Sequence, residues 1–344
     1  VLESKETPGL GDKVKEWPVP FCDGVDALLE DRGRRVVILA SGDPFWFGAG
    51  SVFAGRLDPS EWRAIPGVST FSLAAARLGW PIESTVCLGL HAAPIERLRA
   101  HLAPGVRVVV LVRDGAAVGT LRDYLQDEGF AQSKVWALER LGGPNERMRA
   151  GIVSEFDVSD AQAPVCVAID VAGDGLTTPR TAGIPDSFFE HDGQFSKRPM
   201  RALTLSALAP RPGGLLWDIG AGSGAISIEW LLADASTRAI AIEADATRVA
   251  RAKGNAHRMG VDRLQVVEAH APDGLEGLPA PQAVFVGGGL SLTLFDRVWE
   301  MIGEGVRLVV NAVTLESESL LTQFHATHGG ELLRIALSDA APLG

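Results

Sequence analysis

The stretch Leu215-Leu-Trp-Asp-Ile-Gly-Ala-Gly-Ser-Gly-Ala-Ile-Ser-Ile-Glu229 decides how the chain is read. A strand predicted over Gly214–Asp218 ends in a carboxylate. Gly220, Gly222 and Gly224 then alternate with Ala221 and Ser223, and a helix is predicted over Ala225–Ala233. A strand, glycine loop and helix in this order let a ligand approach the backbone closely and aim helix N-terminal N–H groups at it. The next predicted strand, Ala239–Glu243, also ends in an acid, placed to accept hydrogen bonds from ribose hydroxyls.

Two nucleotide readings compete for this loop, beside the plain reading of a tight strand–helix turn. Gly220–Ala225 satisfies GxGxx(G/A), the dinucleotide fingerprint, which alone is a weak signal. Asp218 stands two residues before the first glycine, where it would crowd a pyrophosphate but suit a ligand carrying an ammonium group. No His or Lys constellation for hydride transfer stands out downstream. These two points favour S-adenosylmethionine (SAM) as the cofactor.

Outward from the loop, Val-, Ile- and Leu-rich runs alternate with helix-period segments. Strands are predicted at Leu264–Val267, Ala283–Val286 and Val306–Val310, and helices at Pro199–Leu208, Ala246–Met259, Leu292–Ile302 and Glu316–His325. Asp245 is placed to cap one helix and Gly260 to end it. Upstream, strands are predicted at Arg35–Ala40, Val106–Val112 and Val165–Asp170, with helices at Thr70–Leu78, Ile95–Leu102 and Ala116–Glu128. The pattern is that of parallel sheets covered by helices. Between the two sets, Ala172–Pro185 is rich in Gly, Pro and Thr and has no apolar period. The expected organisation is therefore two α/β domains, 1–172 and 186–344, joined by a linker over 173–185.

Composition agrees. The chain has 344 residues, 46% hydrophobic and with 39 glycines, enough for two cores with many tight turns. No apolar run approaches the roughly 18 residues of a membrane span, and Val1–Lys15 is too polar for a secretory signal. Residues 1–172 carry 18 basic against 23 acidic side chains, and 173–344 carry 14 against 20. That even acidity and the lack of a basic tail argue against a nucleic-acid partner. Cys22, Cys87 and Cys166 form no CxxC pair and read as reduced thiols of a cytoplasmic protein.

The second half resembles the class I SAM-dependent methyltransferases, within them the branch that methylates precorrins. The resemblance rests on Asp218–Gly224, on Glu243 within Ile-Ala-Ile-Glu-Ala-Asp, on Glu268-Ala-His-Ala-Pro272, on Phe285-Val-Gly-Gly-Gly289 and on Asp192-Gly-Gln-Phe-Ser-Lys-Arg-Pro-Met-Arg201. It implies that Ser196 meets the carboxylate side of SAM and Ala271 its adenine through the backbone, with His270 beside it. Pro199 stands where the family usually has Glu, and His270 where it usually has an acid.

In the first half, Ala40-Ser-Gly-Asp-Pro-Phe-Trp-Phe-Gly-Ala-Gly50, Ile65-Pro-Gly-Val-Ser-Thr-Phe71 and Glu139-Arg-Leu-Gly-Gly-Pro-Asn-Glu-Arg147 resemble the tetrapyrrole (corrin/porphyrin) methylases. That fold has two α/β lobes, and the resemblance implies SAM between them near Gly42, Asp43 and Pro44. The family opens with a strand and glycine loop that would precede residue 1, and a closing strand pair is expected where this sequence offers one candidate strand. A tetrapyrrole methylase followed by a Rossmann-like class I domain resembles the C(5,15)-methyltransferase (decarboxylating) family of cobalamin biosynthesis. The implied reaction is methylation of a precorrin at carbon 5 by the first domain and at carbon 15 by the second, with loss of the ring C acetate carboxylate. Homo-oligomers are expected by the same resemblance.

No Ser–His–Asp or GxSxG arrangement is present, and no catalytic side chain is assigned. A tetrapyrrole carries many carboxylates, which arginine pairs with bidentately, so Lys197, Arg198 and Arg201 are the expected substrate-binding residues. His325 and His328 lack acidic or Cys partners and are not read as a metal site. Trp46 and Phe47 are expected to pack rather than to line a cleft. An RNA base methyltransferase would share the class I core, but the acidity and the first domain oppose it. A non-catalytic tetrapyrrole carrier is opposed, for the second domain, by the intact glycines and Glu243.

Overall fold

Among the described residues two five-stranded sheets form, one in each of two units. The computed structural model describes Lys15, Trp17, 21–40 and 42–338. The opening 1–14, Ser41 of the first motif and the closing 339–344 lie outside the described residues. One unit comprises the chain up to 92 together with 104–173, and the other 93–103 together with 174–344. The expected linker over 173–185 thus belongs almost wholly to the second unit.

The first unit holds α1 (Phe21–Leu29), α2 (Gly50–Ala54), α3 (Thr70–Leu78), β1 (Thr85–Gly89), β2 (Arg107–Leu111), α4 (Gly115–Asp127), β3 (Lys134–Glu139), β4 (Arg147–Ile152) and β5 (Val165–Asp170). Its sheet runs β1-β2-β5-β3-β4, and only β1 and β2 are parallel. The expectation of parallel sheets therefore fails here, because β5 returns between β2 and β3 and pairs antiparallel with both. α3 forms where expected: Ser69 accepts the Ser72 N–H at 3.0 Å and Gly79 ends the helix at φ +66°. Phe71 and Ala74 of α3 pack on Val109, Leu138 and Cys166. Burial pushes the Cys166 thiol up to about 12, so it is an apolar filler.

Arg35–Ala40 corrects a second expectation. The segment pairs with no strand among the described residues, and Val37 and Leu39 are 77% and 69% exposed. An apolar run becomes a strand only where a neighbour completes its hydrogen-bond ladder. Before Thr70 the described residues form helices and loops only, so every described strand of this unit follows α3.

The second unit holds α5 (Arg198–Leu208), β6 (Leu215–Ile219), α6 (Ala225–Ala233), β7 (Arg238–Glu243), α7 (Ala246–Arg258), β8 (Gln265–Glu268), β9 (Ala283–Val286), α8 (Leu292–Met301), β10 (Arg307–Val310) and α9 (Leu315–His328). All its described strands are parallel, in the order β10-β9-β6-β7-β8. Alternate residues face opposite layers, as the period of two requires. Leu216, Ala239 and Ala241 meet Leu205, Ile228 and Ala256 of α5, α6 and α7, whereas Trp217, Ile240 and Ile242 join the cluster containing Leu294 and Val298 of α8. Asp245 caps α7 by accepting the Arg248 N–H, and Gly260 follows it at φ +69°. The segment 93–103 is 3₁₀-helical over Ile95–His101 rather than the expected helix, and Arg97 pairs with Asp262 through two nitrogens at 2.7 and 3.1 Å. The candidate strand after α9 is not formed over 329–338.

Strand order reverses between β6 and β9, since the chain moves from β6 outward to β8 and then returns to the other side. In open parallel sheets ligands bind at the carboxyl ends of the strands beside such a reversal. The glycine loop occupies that place. No helix among the described residues is long and apolar enough to cross a membrane.

Candidate functional site

The loop after β6 needs its glycines for conformation. Gly220, Gly222 and Gly224 have φ of +70°, +57° and +75°, where a Cβ is strained. Gly220 also meets the loop after β9: a Cβ there would lie 2.9 Å from the Gly288 backbone nitrogen and oxygen. Gly220 and Ala221 donate to Ile242 O at 2.9 and 3.2 Å, and Gly222 donates to Glu243 Oε2 at 2.8 Å. Glu243 Oε1 accepts from Ala244 and Asp245 N–H, each at 3.0 Å. A carboxylate offers about four acceptor positions, so Glu243 holds the loop and retains room for a ribose hydroxyl on Oε2.

Asp218 lies beneath the loop, 1% exposed. Its Oδ2 accepts from Ser227 N–H at 3.2 Å and from Ser227 Oγ at 2.6 Å, anchoring the first turn of α6. Oδ1 has no protein partner, and neither does the buried Ser223 Oγ. Desolvation pushes the Asp218 carboxyl up to about 6, with the Glu243 charge adding to it. A cation held near this pair of acids would be stabilised by both. The site therefore fits SAM on three counts: a cradle without Cβ atoms, acids at the ends of β6 and β7, and polar atoms left unpaired below.

His270 and Ala271 follow β8. His270 is exposed and its carbonyl accepts the Gly274 N–H at 2.9 Å, while Ala271 is half-buried against the α8-side cluster. Ser196 is half-buried ahead of α5, where its carbonyl accepts from Arg201 at 2.6 Å. The structure thus brings Asp218, the three glycines, Ala221, Ser223 and Glu243 into one constellation, with Ser196 and Ala271 in flanking loops.

The expected substrate contacts divide. Lys197 and Arg198 are exposed at the start of α5. Arg201 is not available and is corrected: it is 0% exposed, its Nε bonds Glu229 Oε1 at 2.7 Å, its Nη1 bonds Asp186 Oδ1 at 2.7 Å, and its Nη2 bonds Ile184 O. One helical turn from Lys197, it faces the core instead of solvent. Sequence reasoning missed an apolar feature of the same edge. Leu292, after the β9 loop, is exposed, as are Val313 at 95% and Leu315 at 81% in and after the β10 loop. The signal was there in Asn-Ala-Val-Thr-Leu315, an apolar pair directly after a parallel strand.

In the first unit, Gly42 (φ +74°) lies against the second motif: a Cβ on Gly67 would meet Gly42 O at 2.8 Å. Asp43 Oδ1 accepts the Phe45 N–H, and Pro44 O accepts that of Gly50, each at 2.8 Å. Two of the three motifs that carried the resemblance are thus packed together. Trp46 and Phe47 rest on Phe71 with ring centroids 4.9 and 5.8 Å apart, while keeping partly exposed faces. His328 packs on Trp299 at 4.5 Å, and no metal-binding cluster occurs among the described residues.

Residues 24–157 match the tetrapyrrole (corrin/porphyrin) methylases and 187–344 the precorrin methyltransferase domain. The precorrin-6Y C(5,15)-methyltransferase [decarboxylating] of a Sinorhizobium species is 46% identical over 331 residues, covering 95% of this chain and 80% of that protein. Its namesake from Mycobacterium tuberculosis H37Rv is 38% identical, covering 96% and 83%. A shorter relative from Pyrobaculum aerophilum, a probable cobalt-precorrin-6B C(15)-methyltransferase (decarboxylating), is 40% identical over 48% of this chain and 88% of its own length. The crystal structure of the C-terminal domain of precorrin-6Y C5,15-methyltransferase from Rhodobacter capsulatus is 55% identical, covering 48% of this chain and 90% of that one at a TM-score of 0.47. With both of its domains matched and relatives similar over nearly its whole length, the chain belongs to the precorrin-6Y C(5,15)-methyltransferase (decarboxylating) family.

Proposed function

We propose that this chain transfers methyl groups from SAM to carbons 5 and 15 of a precorrin and removes the ring C acetate carboxylate, the first unit acting at carbon 5 and the second at carbon 15. The observation that carries methyl transfer by the second unit is the glycine loop pinned to Glu243 over a buried, half-satisfied Asp218. The shorter relative, named for carbon 15 and decarboxylation and about the length of one unit, supports the division of labour.

SAM supplies a methyl group made electrophilic by its sulfonium. The accepting carbon belongs to an electron-rich conjugated macrocycle, so the chain need provide no nucleophile. Its residues would hold donor and acceptor together, align them and exclude water. Asp218 and Glu243 favour the cationic donor over its neutral product. Lys197 and Arg198 meet substrate carboxylates, while Leu292, Val313 and Leu315 receive the flat face of the ring. A carboxylate carried over that apolar edge loses hydration, which favours its departure as carbon dioxide with the bonding pair passing into the conjugated ring.

Calorimetric titration of SAM into the whole chain tests the cofactor reading. Two sites are expected, falling to one in a variant combining Asp218→Ala and Glu243→Ala, and mass spectrometry of the turned-over precorrin should show two added methyl groups and one lost carboxylate. No SAM binding by the wild type overturns the proposal.

A further inference from the structure

The segment 183–197 has little regular structure, a single 3₁₀ turn at Asp186–Phe188, yet it is tied down by some of the most buried polar side chains of the second unit. Arg201 and Asn255 are both 0% exposed. Arg201 reaches both ends of the segment, bonding Ile184 O and Asp186 Oδ1 at one end and Ser196 O at the other. Its partner Glu229, on the helix that the glycine loop opens, accepts Gly183 N–H at 2.6 Å and Ile184 N–H at 3.2 Å. Asn255 completes the attachment from α7. Its Oδ1 accepts the Glu190 N–H, and its Nδ2 donates to Glu190 O and to Ser223 O in the glycine loop, all at 2.9 Å. Further along, Gln194 O lies 3.7 Å from where a Cβ on Gly222 would stand.

A buried ion pair of this kind is a poor source of net stability, because desolvation offsets its attraction. What it does provide is a single geometry, since each donor and acceptor is satisfied in one arrangement only. We infer that Arg201 and Asn255 are positioning residues for the second SAM site: together they fix the 183–197 segment against the glycine loop, so that Ser196 and Ser223 are held where the donor binds. The inference rests on the reading of that loop as a SAM site. Neither side chain touches the donor; both act through the backbone carbonyls of Ser196, Glu190 and Ser223.

The test uses Arg201→Lys, which keeps the charge but loses the fork, and Asn255→Asp, which keeps the shape but loses the donor to Ser223 O. Calorimetry with SAM and steady-state kinetics on the whole chain are the readouts. Each variant is expected to weaken one of the two SAM sites by about tenfold or more, the scale of a misplaced binding group. The other site is expected to stay unchanged, with KM for SAM raised while kcat stays within about twofold. A merely structural role would lower the thermal midpoint and leave the SAM affinity of the folded protein untouched, and that result overturns the inference. Glu243→Ala separates the two failures. Retained affinity in Glu243→Ala sinks the SAM reading itself, whereas affinity lost there but kept in both positioning variants sinks only this inference. Hydrogen exchange on the wild type needs no variant: SAM is expected to slow exchange at the Gly183, Ile184 and Glu190 amides, and unchanged rates there count against the coupling.

Discussion

Glu243 Oε2 lies 2.8 Å from the Gly222 amide nitrogen, so the acid that ends β7 holds the loop that follows β6. Loop geometry and ligand contact therefore meet in one carboxylate. Glu243→Gln keeps the volume but turns an amide N–H toward backbone donors, leaving at least one buried donor unpaired at about 1–3 kcal/mol. SAM affinity at one site is expected to fall roughly 10- to 100-fold by calorimetry. An unchanged affinity would count against the reading of this loop as a SAM site, as it would for Glu243→Ala.

Asp218 offers a pH signature. Its carboxyl is raised from the usual 3.8 to about 6 by burial. In the folded chain the proton is retained through a range where the unfolded chain has lost it, so this group's contribution to stability falls as pH rises from about 4 to about 6. Above that the penalty is constant at roughly 3 kcal/mol. Asp218→Asn removes the ionisation, so denaturant titration should find the variant stabilised relative to wild type at pH 7.5, with the gain vanishing near pH 4. SAM affinity is expected to fall in the same variant. A gain independent of pH would rule out ionisation as its cause.

Lys197 stands exposed at the start of α5, its Nζ 4.4 Å from the centre of the Phe195 ring. Lys197→Ala is expected to raise KM for the precorrin about three- to tenfold, the scale of one charge-assisted contact, without altering SAM affinity. Arg201, in contrast, should not follow that pattern, because its guanidinium is buried among partners from the chain itself.

For the apolar edge, Val313→Asp places a charge where the ring face is proposed to lie. The side chain is almost fully exposed, so the thermal midpoint should stay within about 2 °C of wild type, as for surface substitutions generally. KM for the precorrin is expected to rise about tenfold or more, while SAM titration is unchanged. Wild-type kinetics in this variant would remove Val313 from the substrate site.

Much of the second unit was legible because each element carries its own punctuation. Asp245 and Gly260 bracket α7, the alternate glycines mark the turn after β6, and acids stand at the carboxyl ends of two strands, Asp218 one residue before the end of β6 and Glu243 at the end of β7. The first unit was less so. The antiparallel return of β5 depends on which strands meet, a long-range choice that a local apolar run does not encode. Arg35–Ala40 has the composition of a strand, but pairing is a property of two segments. Arg201 was misread for a related reason: Lys197, Arg198 and Arg201 look like one basic cluster in sequence, and only helical phase together with Glu229 turns the last of them inward. Asn255 gave no signal, since a lone Asn in a helix reads as a surface residue until its partners at Glu190 and Ser223 are placed.

The close approach of Gly220 to Gly288 constrains how the loop could ever be repaired by a second substitution. A methyl group on Gly220 meets Gly288 main chain, whereas one on Gly288 meets nothing within 4 Å. Damage and tolerance are therefore unequal across the pair: Gly220→Ala should be severe and Gly288→Ala nearly silent. A genetic suppressor usually shrinks the neighbour of an enlarged residue, but the neighbour here is already the smallest the code allows. Selection for revertants of Gly220→Ala should consequently return true reversions at codon 220, and compensating changes at 288 should not appear.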